Sequence, residues 1–293
     1  MANYTTMTAG EVAQSVTAAR AARARRRARS SRVSLWLLPV VVFAILITIW
    51  YFVSLYYDKG LQLGWLVPYP LEVLQIVFFP AKPTTPLFSE QLVNDLLNST
   101  LVALTGLAIA IVIGVLWAVL MSQARWVERA LYPYAVILQC IPILAIAPLL
   151  GSIVGFNFNA RVVVTVMISL FPLVSNTLFG LQSVDRAQRE LFALQGAGRW
   201  TTLTKLQFPT ALPSIFVGLR TAAGLSVIGA VVGDQFFQRG TPGLGVLIQV
   251  STARLNGAGG FAAIITASLL GVAVFLLFGW LGRLAVGKWY DFA

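Results

Sequence analysis

Six long runs of apolar residues constrain the fold of this chain more than any other feature. The first run, residues 33–57, contains no charged residue. Five more lie at 99–121, 130–154, 162–184, 213–233 and 261–286. Because a helix rises 1.5 Å per residue, about 20 apolar residues cross the hydrocarbon core of a bilayer. The pattern predicts an all-α fold, a polytopic membrane helix bundle with six transmembrane helices.

Composition excludes several classes of functional site. The chain is 58% hydrophobic and only 11% charged, whereas soluble proteins carry about a quarter charged residues. It has no histidine and a single cysteine, Cys140, so an internal disulfide and a His-ligated metal or haem site are excluded. No GxxxxGK[ST] phosphate-binding loop occurs. We therefore expect no metal, no cofactor and no catalytic residue in this chain, and an integral-membrane enzyme is disfavoured.

Basic residues orient the predicted helices. Seven lie in residues 20–32, within a tail (1–32) that precedes the membrane domain (33–293). We interpret this tail as a cytoplasmic segment that contacts anionic membrane lipid, and we expect no nucleic-acid partner. With the N-terminus inside, fifteen Lys and Arg lie in cytoplasmic segments and four in external ones. The positive-inside rule therefore predicts that both termini are cytoplasmic.

A polar interval at residues 186–213 separates the fourth and fifth apolar runs. A short helix there stops at Gly196, a residue type that tolerates the left-handed conformation of a helix end. Trp200, Leu203 and Leu206 follow at three-residue spacing and predict one apolar stripe on a second short helix. Pro209 and Pro213 predict where that helix ends and the next membrane segment begins. The interval therefore predicts a helical hairpin at the cytoplasmic surface.

The hairpin resembles the cytoplasmic "EAA" loop of the membrane subunits of ABC importers. That family pattern is Glu-Ala-Ala, three residues, Gly, nine residues, an aliphatic residue, one residue, then Leu-Pro. This sequence has the matching residues at the same spacing, but Leu191 and Phe192 replace the two alanines and Phe208 replaces the leucine. The resemblance implies that the hairpin couples to an ATPase through Glu190, Leu191, Phe192, Gly196, Ala197, Trp200, Leu203, Leu206, Phe208 and Pro209.

The resemblance also implies an assembly and a location. A type I importer permease of this kind works as a dimer, here expected to be a homodimer, in the bacterial inner membrane. Two separate ABC ATPase subunits would hold ATP and Mg²⁺, and an extracytoplasmic binding protein would deliver the substrate. This chain would catalyse no bond chemistry.

Two further segments resemble the nitrate/sulfonate/taurine-type permeases. These are the run from Gly243 to Ile248, which reads GLGVLI, and the Pro-Tyr-Pro of residues 68–70. The resemblance implies a small organic or inorganic anion, or a vitamin precursor, as substrate. Arg161, Arg239 and Arg254 are expected near the outer face, where they would favour anions.

Polar residues and prolines interrupt the apolar runs. Gln139, Ser175 and Asn176 are candidates for the translocation path, although hydrogen bonds between helices explain them equally well. Pro142 and Pro148 predict kinks within the third span. We expect Arg220 to snorkel or pair. Ser89 is expected to cap a short helix that is separate from the span at 99. The small residues Gly224, Gly229 and Gly233 predict close packing along one helix.

An ion-coupled carrier or channel working without an ATPase is the alternative function. Such a protein requires carboxylates within its spans as ion or proton sites. The sequence places no acidic residue well inside a predicted span, and Asp234 is expected at an outer end. This favours the importer subunit.

Overall fold

The computed structural model describes residues 37–79 and 88–287, which form helices joined by turns and loops, with no strand among them. The chain divides into two units, one ending at Pro70 and the other beginning at Leu71. The basic tail and the first four residues of the predicted first span lie outside the described residues, as do the C-terminal six. The all-α fold predicted from the sequence is confirmed.

The first unit contains one membrane-length helix, α1 (Leu37–Gly60), whose last turn is a π turn. The segment after it folds back along the helix. The Trp50 indole donates a hydrogen bond to the Pro68 carbonyl (3.1 Å), and the buried Ser54 hydroxyl lies 2.9 Å from the same oxygen. The Tyr69 hydroxyl donates to Asp58 (3.1 Å). These bonds fix the Pro-Tyr-Pro segment against its own helix.

Ten helices follow in the described part of the chain after α1. They are α2 (Pro70–Phe78), α3 (Phe88–Ser122), α4 (Arg125–Cys140), α5 (Ile143–Val154), α6 (Phe158–Gln182), α7 (Arg186–Leu194), α8 (Arg199–Thr202), α9 (Phe208–Phe236), α10 (Leu244–Ala253) and α11 (Gly257–Val286). A π turn (Leu203–Gln207) joins α8 to α9 without a break.

Among the described residues, five helices are long and apolar enough to cross a membrane, and α4 with α5 makes a sixth if the two count as one broken span. Their axes bend by 98°, so the prediction of one kinked helix over 130–154 is wrong. Pro142 disfavours helical geometry at the residue before it, and Ile141 is extended, with ψ 123°. The sequence showed the proline but not the size of the bend.

Helix α3 corrects one prediction about its N-terminal half. It is continuous from Phe88 to Ser122, so no separate helix precedes the span at 99. Asp95 is buried in the part of this helix that precedes the predicted span. The residues between Phe88 and Ser99 extend a membrane-crossing helix because Leu92 packs against Leu244 and Leu247 of α10.

Close packing of α6 against α9 forms the centre of the second unit. The two helices are antiparallel, with Gly229 facing Thr165 and Gly233 facing Arg161. A Cβ on Gly229 would lie only 2.7 Å from the Thr165 Cα. Predicted close packing is therefore confirmed for Gly229 and Gly233, whereas Gly224 borders an open groove.

Helix α3 packs on α6 in a parallel orientation. Gly106 faces Thr165, and Gly114 faces Leu173 eight residues further along both helices. Buried residues of α3, α6, α9 and α11, among them Val102, Leu173, Val227 and Val274, form one apolar core. The polar interval 186–213 and the start of α10 consequently lie at opposite ends of the bundle.

A buried polar network closes the end of the bundle opposite the polar interval. Arg161 Nη1 and Asp234 Oδ1 form an ion pair at 3.1 Å, and the two side chains are 2% and 0% exposed. The Ser99 hydroxyl donates to the other Asp234 oxygen (2.6 Å) and accepts the Leu244 amide (2.8 Å). The Gly245 amide also bonds to Asp234. Helices α3, α6, α9 and α10 therefore meet at one carboxylate.

Arg161 is buried, so the expectation that it favours anions at the outer face is wrong. Its guanidinium donates to the carbonyls of Phe237 (2.8 Å), Thr241 (2.7 Å) and Arg239 (3.3 Å), all in the loop after α9. A buried guanidinium needs an acceptor for its donors, and this loop supplies three. Arg161 is therefore a structural residue rather than an external attractor of anions.

Replacing Gly229 by alanine tests the α6–α9 packing. The added Cβ requires the helices to separate, and overpacking of this kind costs about 1–3 kcal/mol. Gly224 is a matched control on the same helix, because a Cβ there meets nothing closer than 3.9 Å and alanine favours helix by up to about 1 kcal/mol. In thermal unfolding of the purified chain, Gly229→Ala should melt below wild type and Gly224→Ala at or above it. Equal melting temperatures for the two variants would contradict this packing.

Candidate functional site

The turn at Gly196 is a Schellman motif that ends α7. Gly196 has φ +67°, which confirms the predicted left-handed conformation. The Gly196 amide donates to the Ala193 carbonyl and the Ala197 amide to the Phe192 carbonyl, both at 3.0 Å. These two bonds satisfy carbonyls at the helix end. The turn therefore has a fixed geometry that sets the direction of α8 relative to α7.

The second half of the hairpin differs from its prediction at the prolines. Helix α8 continues through the π turn into α9, so Pro209 and Pro213 do not end a helix. A proline inside an α-helix lacks its amide hydrogen bond and crowds the carbonyl four residues earlier. The wider π turn precedes Pro209, and the Phe208 amide bonds five residues back to Leu203. The second arm of the hairpin is thus continuous with the helix of the fifth apolar run.

The predicted stripe of Trp200, Leu203 and Leu206 is divided between two faces. Leu203 and Leu206 are buried and Leu203 packs with Leu181 and Ile215, whereas Trp200 is 74% exposed. Three-residue steps turn a helix by about 300°, so positions spaced by three drift around its surface. The prediction of a single stripe is therefore wrong, and only Trp200 is free to contact another protein.

Large apolar side chains are exposed on both arms of the hairpin. Leu194 is 86% exposed and Leu191 is 53% exposed on α7, and Trp200 lies on α8. We call Leu191, Leu194 and Trp200 the hairpin patch. The other predicted coupling residues contribute less exposed surface: Phe192, Ala197 and Pro209 are half-buried, and Phe208 is partly exposed. Leu194 was not singled out from the sequence, although it precedes Gly196 by two residues.

Charged residues fix the base of the hairpin. Glu190 pairs with Arg186 one turn earlier at 2.9 Å, and both side chains are exposed. Such pairs contribute little stability, so Glu190 can exchange this partner for another. Arg189 Nη2 donates to the carbonyls of Leu181 (3.3 Å) and Gln182 (3.2 Å) at the end of α6. Arg189 therefore ties α7 to the membrane helix before it.

The predicted path residues lie on two helices. Gln139 is exposed near the end of α4, beside the break, and Ser175 and Asn176 are half-buried in α6. The Asn176 amide donates to the Pro172 carbonyl (2.8 Å), one turn earlier in α6. That bond gives Asn176 a structural role within α6. The assignment of these three residues to a path stays a prediction.

Two features of α9 face the last helix. Arg220 lies over the Phe275 ring, with its Cζ 4.0 Å from the ring centroid. Its expected pairing is therefore with an aromatic ring of α11.

Helices α9, α10 and α11 also border an apolar groove of about 650 Å³, lined by residues such as Gly224, Ile228 and Val272.

The sequence is similar to those of known transport proteins. Residues 110–286 match the family described as "Binding-protein-dependent transport system inner membrane component". A formylaminopyrimidine transport permease protein of Halalkalibacterium halodurans is 35% identical over 238 residues, which cover 81% of this chain and 90% of that protein. A probable ABC transporter permease protein of Haemophilus influenzae is 30% identical over 83% of this chain and 94% of its own length.

A third relative is a riboflavin transport system permease protein of Chloroflexus aurantiacus. It is 36% identical over 57% of this chain and 62% of its own length. These relatives are transport subunits whose ATPase is a separate protein, so the alternative of a carrier working without an ATPase is not supported. The chain belongs to the binding-protein-dependent ABC importer permeases, and it is the membrane-spanning subunit that forms the translocation path of an ATP-driven importer.

Proposed function

We propose that the hairpin of residues 186–213 docks on the ATPase and transmits its motion to the membrane helices. The observation that carries this proposal is the hairpin patch, which exposes Leu191, Leu194 and Trp200 outside the bundle. Large apolar side chains grouped in this way mark a protein contact surface. Glu190, beside the patch, would bind a basic residue of the ATPase in place of Arg186.

The second arm of the hairpin would move together with α9. From Arg199 to Phe236 the chain forms 38 residues of continuous helix, about 57 Å long at 1.5 Å per residue. Asp234 lies near the far end of this helix, in the network with Arg161 and Ser99. When ATP and Mg²⁺ on the partner draw two ATPases together, the hairpins follow and the helices rock as rigid bodies.

We propose that two copies of this chain form the path between them, with Gln139, Ser175 and Asn176 as candidate lining residues. The proposed complex also contains two ATPase subunits and an extracytoplasmic binding protein. The homodimer rests on the resemblance of the hairpin to the importer family. The path residues rest on their polarity within apolar helices.

We propose a small organic molecule as substrate. Relatives named for formylaminopyrimidine and riboflavin transport favour a vitamin precursor. The nitrate/sulfonate/taurine resemblance favours a small anion and rests on residues 243–248 and 68–70. Burial of Arg161 removes one of the three arginines that supported an anion. Vitamin precursors are therefore the first substrates to assay, with the cognate binding protein.

We also propose that both termini and the hairpin are cytoplasmic, from the fifteen-to-four distribution of Lys and Arg. Asn256 and Thr201 lie at opposite ends of the bundle and report on this topology. In a chain carrying Cys140→Ser, a cysteine at Asn256 should react with a membrane-impermeant thiol reagent added to intact cells. A cysteine at Thr201 should react only after the membrane is opened. External labelling at Thr201 would overturn the orientation.

The turn of the hairpin gives the direct functional test. Gly196→Val places a β-branched residue at φ +67°, at a cost of about 1–2 kcal/mol, and re-aims α8 with Trp200. Gly198→Val is the matched control, because Gly198 has φ −67° and a Cβ at either position meets nothing within 4 Å. We expect Gly196→Val to express normally but to lose uptake and ATPase co-purification, while Gly198→Val keeps both.

Three readouts are compared in the same membranes: substrate uptake, ATPase co-purification and stimulation of ATP hydrolysis by the binding protein. If Gly196→Val and Glu190→Lys both match wild type in all three, the hairpin is a connector and not the coupling element. If Gly198→Val fails together with Gly196→Val, bulk in the turn matters rather than its backbone conformation.

A further inference from the structure

A polar pocket lies at the hairpin end of the bundle. It has a volume of about 510 Å³ and is bordered by the end of α3, the start of α4, the end of α6 and the start of α7. Its lining includes Arg125, Glu128, Arg129, Gln182 and Arg189. Three guanidinium groups and one carboxylate thus border one cavity.

The positive charge in this pocket is not balanced within the described part of the chain. The Glu128 carboxylate accepts a hydrogen bond from the Gln182 amide (2.8 Å). The ion pairs found among residues 37–79 and 88–287 are Arg161–Asp234 and Arg186–Glu190, and neither borders the pocket. With three guanidinium groups and one carboxylate, the pocket carries a net positive charge suited to an anion.

Helix α4 adds to this positive field. It begins at Arg125, and its N-cap residue Ala124 has no side chain that could accept from the first turn. Unpaired amide hydrogens and the positive end of the helix dipole therefore face this end of α4. Guanidinium groups beside such amides match the geometry of a phosphate group.

The surface next to the pocket indicates where such an anion comes from. Trp126 follows Arg125 and is 74% exposed. Tyr134 and Ile137, further along α4, are also exposed. Tryptophan and tyrosine are enriched at membrane–water interfaces, and apolar side chains exposed beyond them face the acyl chains. Helix α4 therefore presents basic residues at headgroup level and apolar residues below it.

We infer that this pocket binds the phosphate group of an anionic phospholipid in the cytoplasmic leaflet, through Arg125, Arg129 and Arg189. The inference rests on the proposed orientation, which sets the leaflet. Arg189 also donates to two carbonyls at the end of α6. A phosphate bridging Arg189 to Arg125 and Arg129 would hold the base of the coupling hairpin against α4.

Lipid titration of the purified full-length chain tests the inference. Binding of phosphatidylglycerol and of phosphatidylcholine is measured by native mass spectrometry from detergent. The variant is Arg125→Gln/Arg129→Gln, because both side chains are exposed and Arg189 is left to hold α7. The matched control is Arg254→Gln/Arg283→Gln, which removes two exposed arginines elsewhere. We expect the first variant to bind phosphatidylglycerol at least about tenfold more weakly, and the control to bind it nearly as wild type.

Each other outcome overturns a defined part of the inference. Equal losses in both double variants would mean that net charge, not this pocket, attracts the lipid. Displacement of phosphatidylglycerol by equimolar inorganic phosphate would identify a soluble anion as the occupant. Unchanged lipid binding with loss of ATPase co-purification would assign the pocket to the ATPase. Because the assay needs no ATPase, Gly196→Val should still bind the lipid, which separates this inference from the coupling proposal.

Discussion

The ion pair between Arg161 and Asp234 is the interaction on which the rest of the bundle depends. In a membrane domain a buried charge has no water to bind, so it must find its partners within the protein. Asp234 pairs with Arg161 and accepts hydrogen bonds from the Ser99 hydroxyl and the Gly245 amide. Arg161 also donates hydrogen bonds to three carbonyls of the loop after α9. A Cβ on Gly245 would clash with the Val231 carbonyl and the Asp234 side chain. The glycines of the GLG segment therefore serve close approach of α10 to this carboxylate.

The two ends of the bundle are consequently different in kind. The end with Asp234 is closed by buried charges and hydrogen bonds from four helices, whereas the hairpin end exposes Leu194 and Trp200. The helix from Arg199 to Phe236 joins them without a break. One continuous helix therefore connects the exposed hairpin end to the buried ion pair, and the proposed coupling to a separate ATPase would act through it.

The sequence predicted those features that depend on local chemistry. The sequence predicts the left-handed conformation of Gly196 because glycine alone carries no steric cost there, and five of the six apolar runs each correspond to one membrane-length helix. The sequence does not predict features that depend on contacts with residues far away in the chain. The burial of Arg161 is not predictable from its neighbours in sequence, because its partners lie in the loop after α9, far along the chain. Pro142 showed a disruption but not a 98° bend, and Pro209 was read as a stop because a π turn leaves no residue signature.

The central claim is that the hairpin patch contacts the ATPase, and site-directed cross-linking measures that contact most directly. In a Cys140→Ser background, single cysteines replace Leu194, Trp200 and, as an exposed apolar control at the other end of the bundle, Leu255. A short bifunctional thiol reagent is added to the chain together with its ATPase, which carries one surface cysteine near its proposed contact with the hairpin. Cross-links from Leu194→Cys and Trp200→Cys whose yield changes with ATP, and none from Leu255→Cys, are predicted. Equal yields from all three positions, or none from the hairpin, would contradict the account.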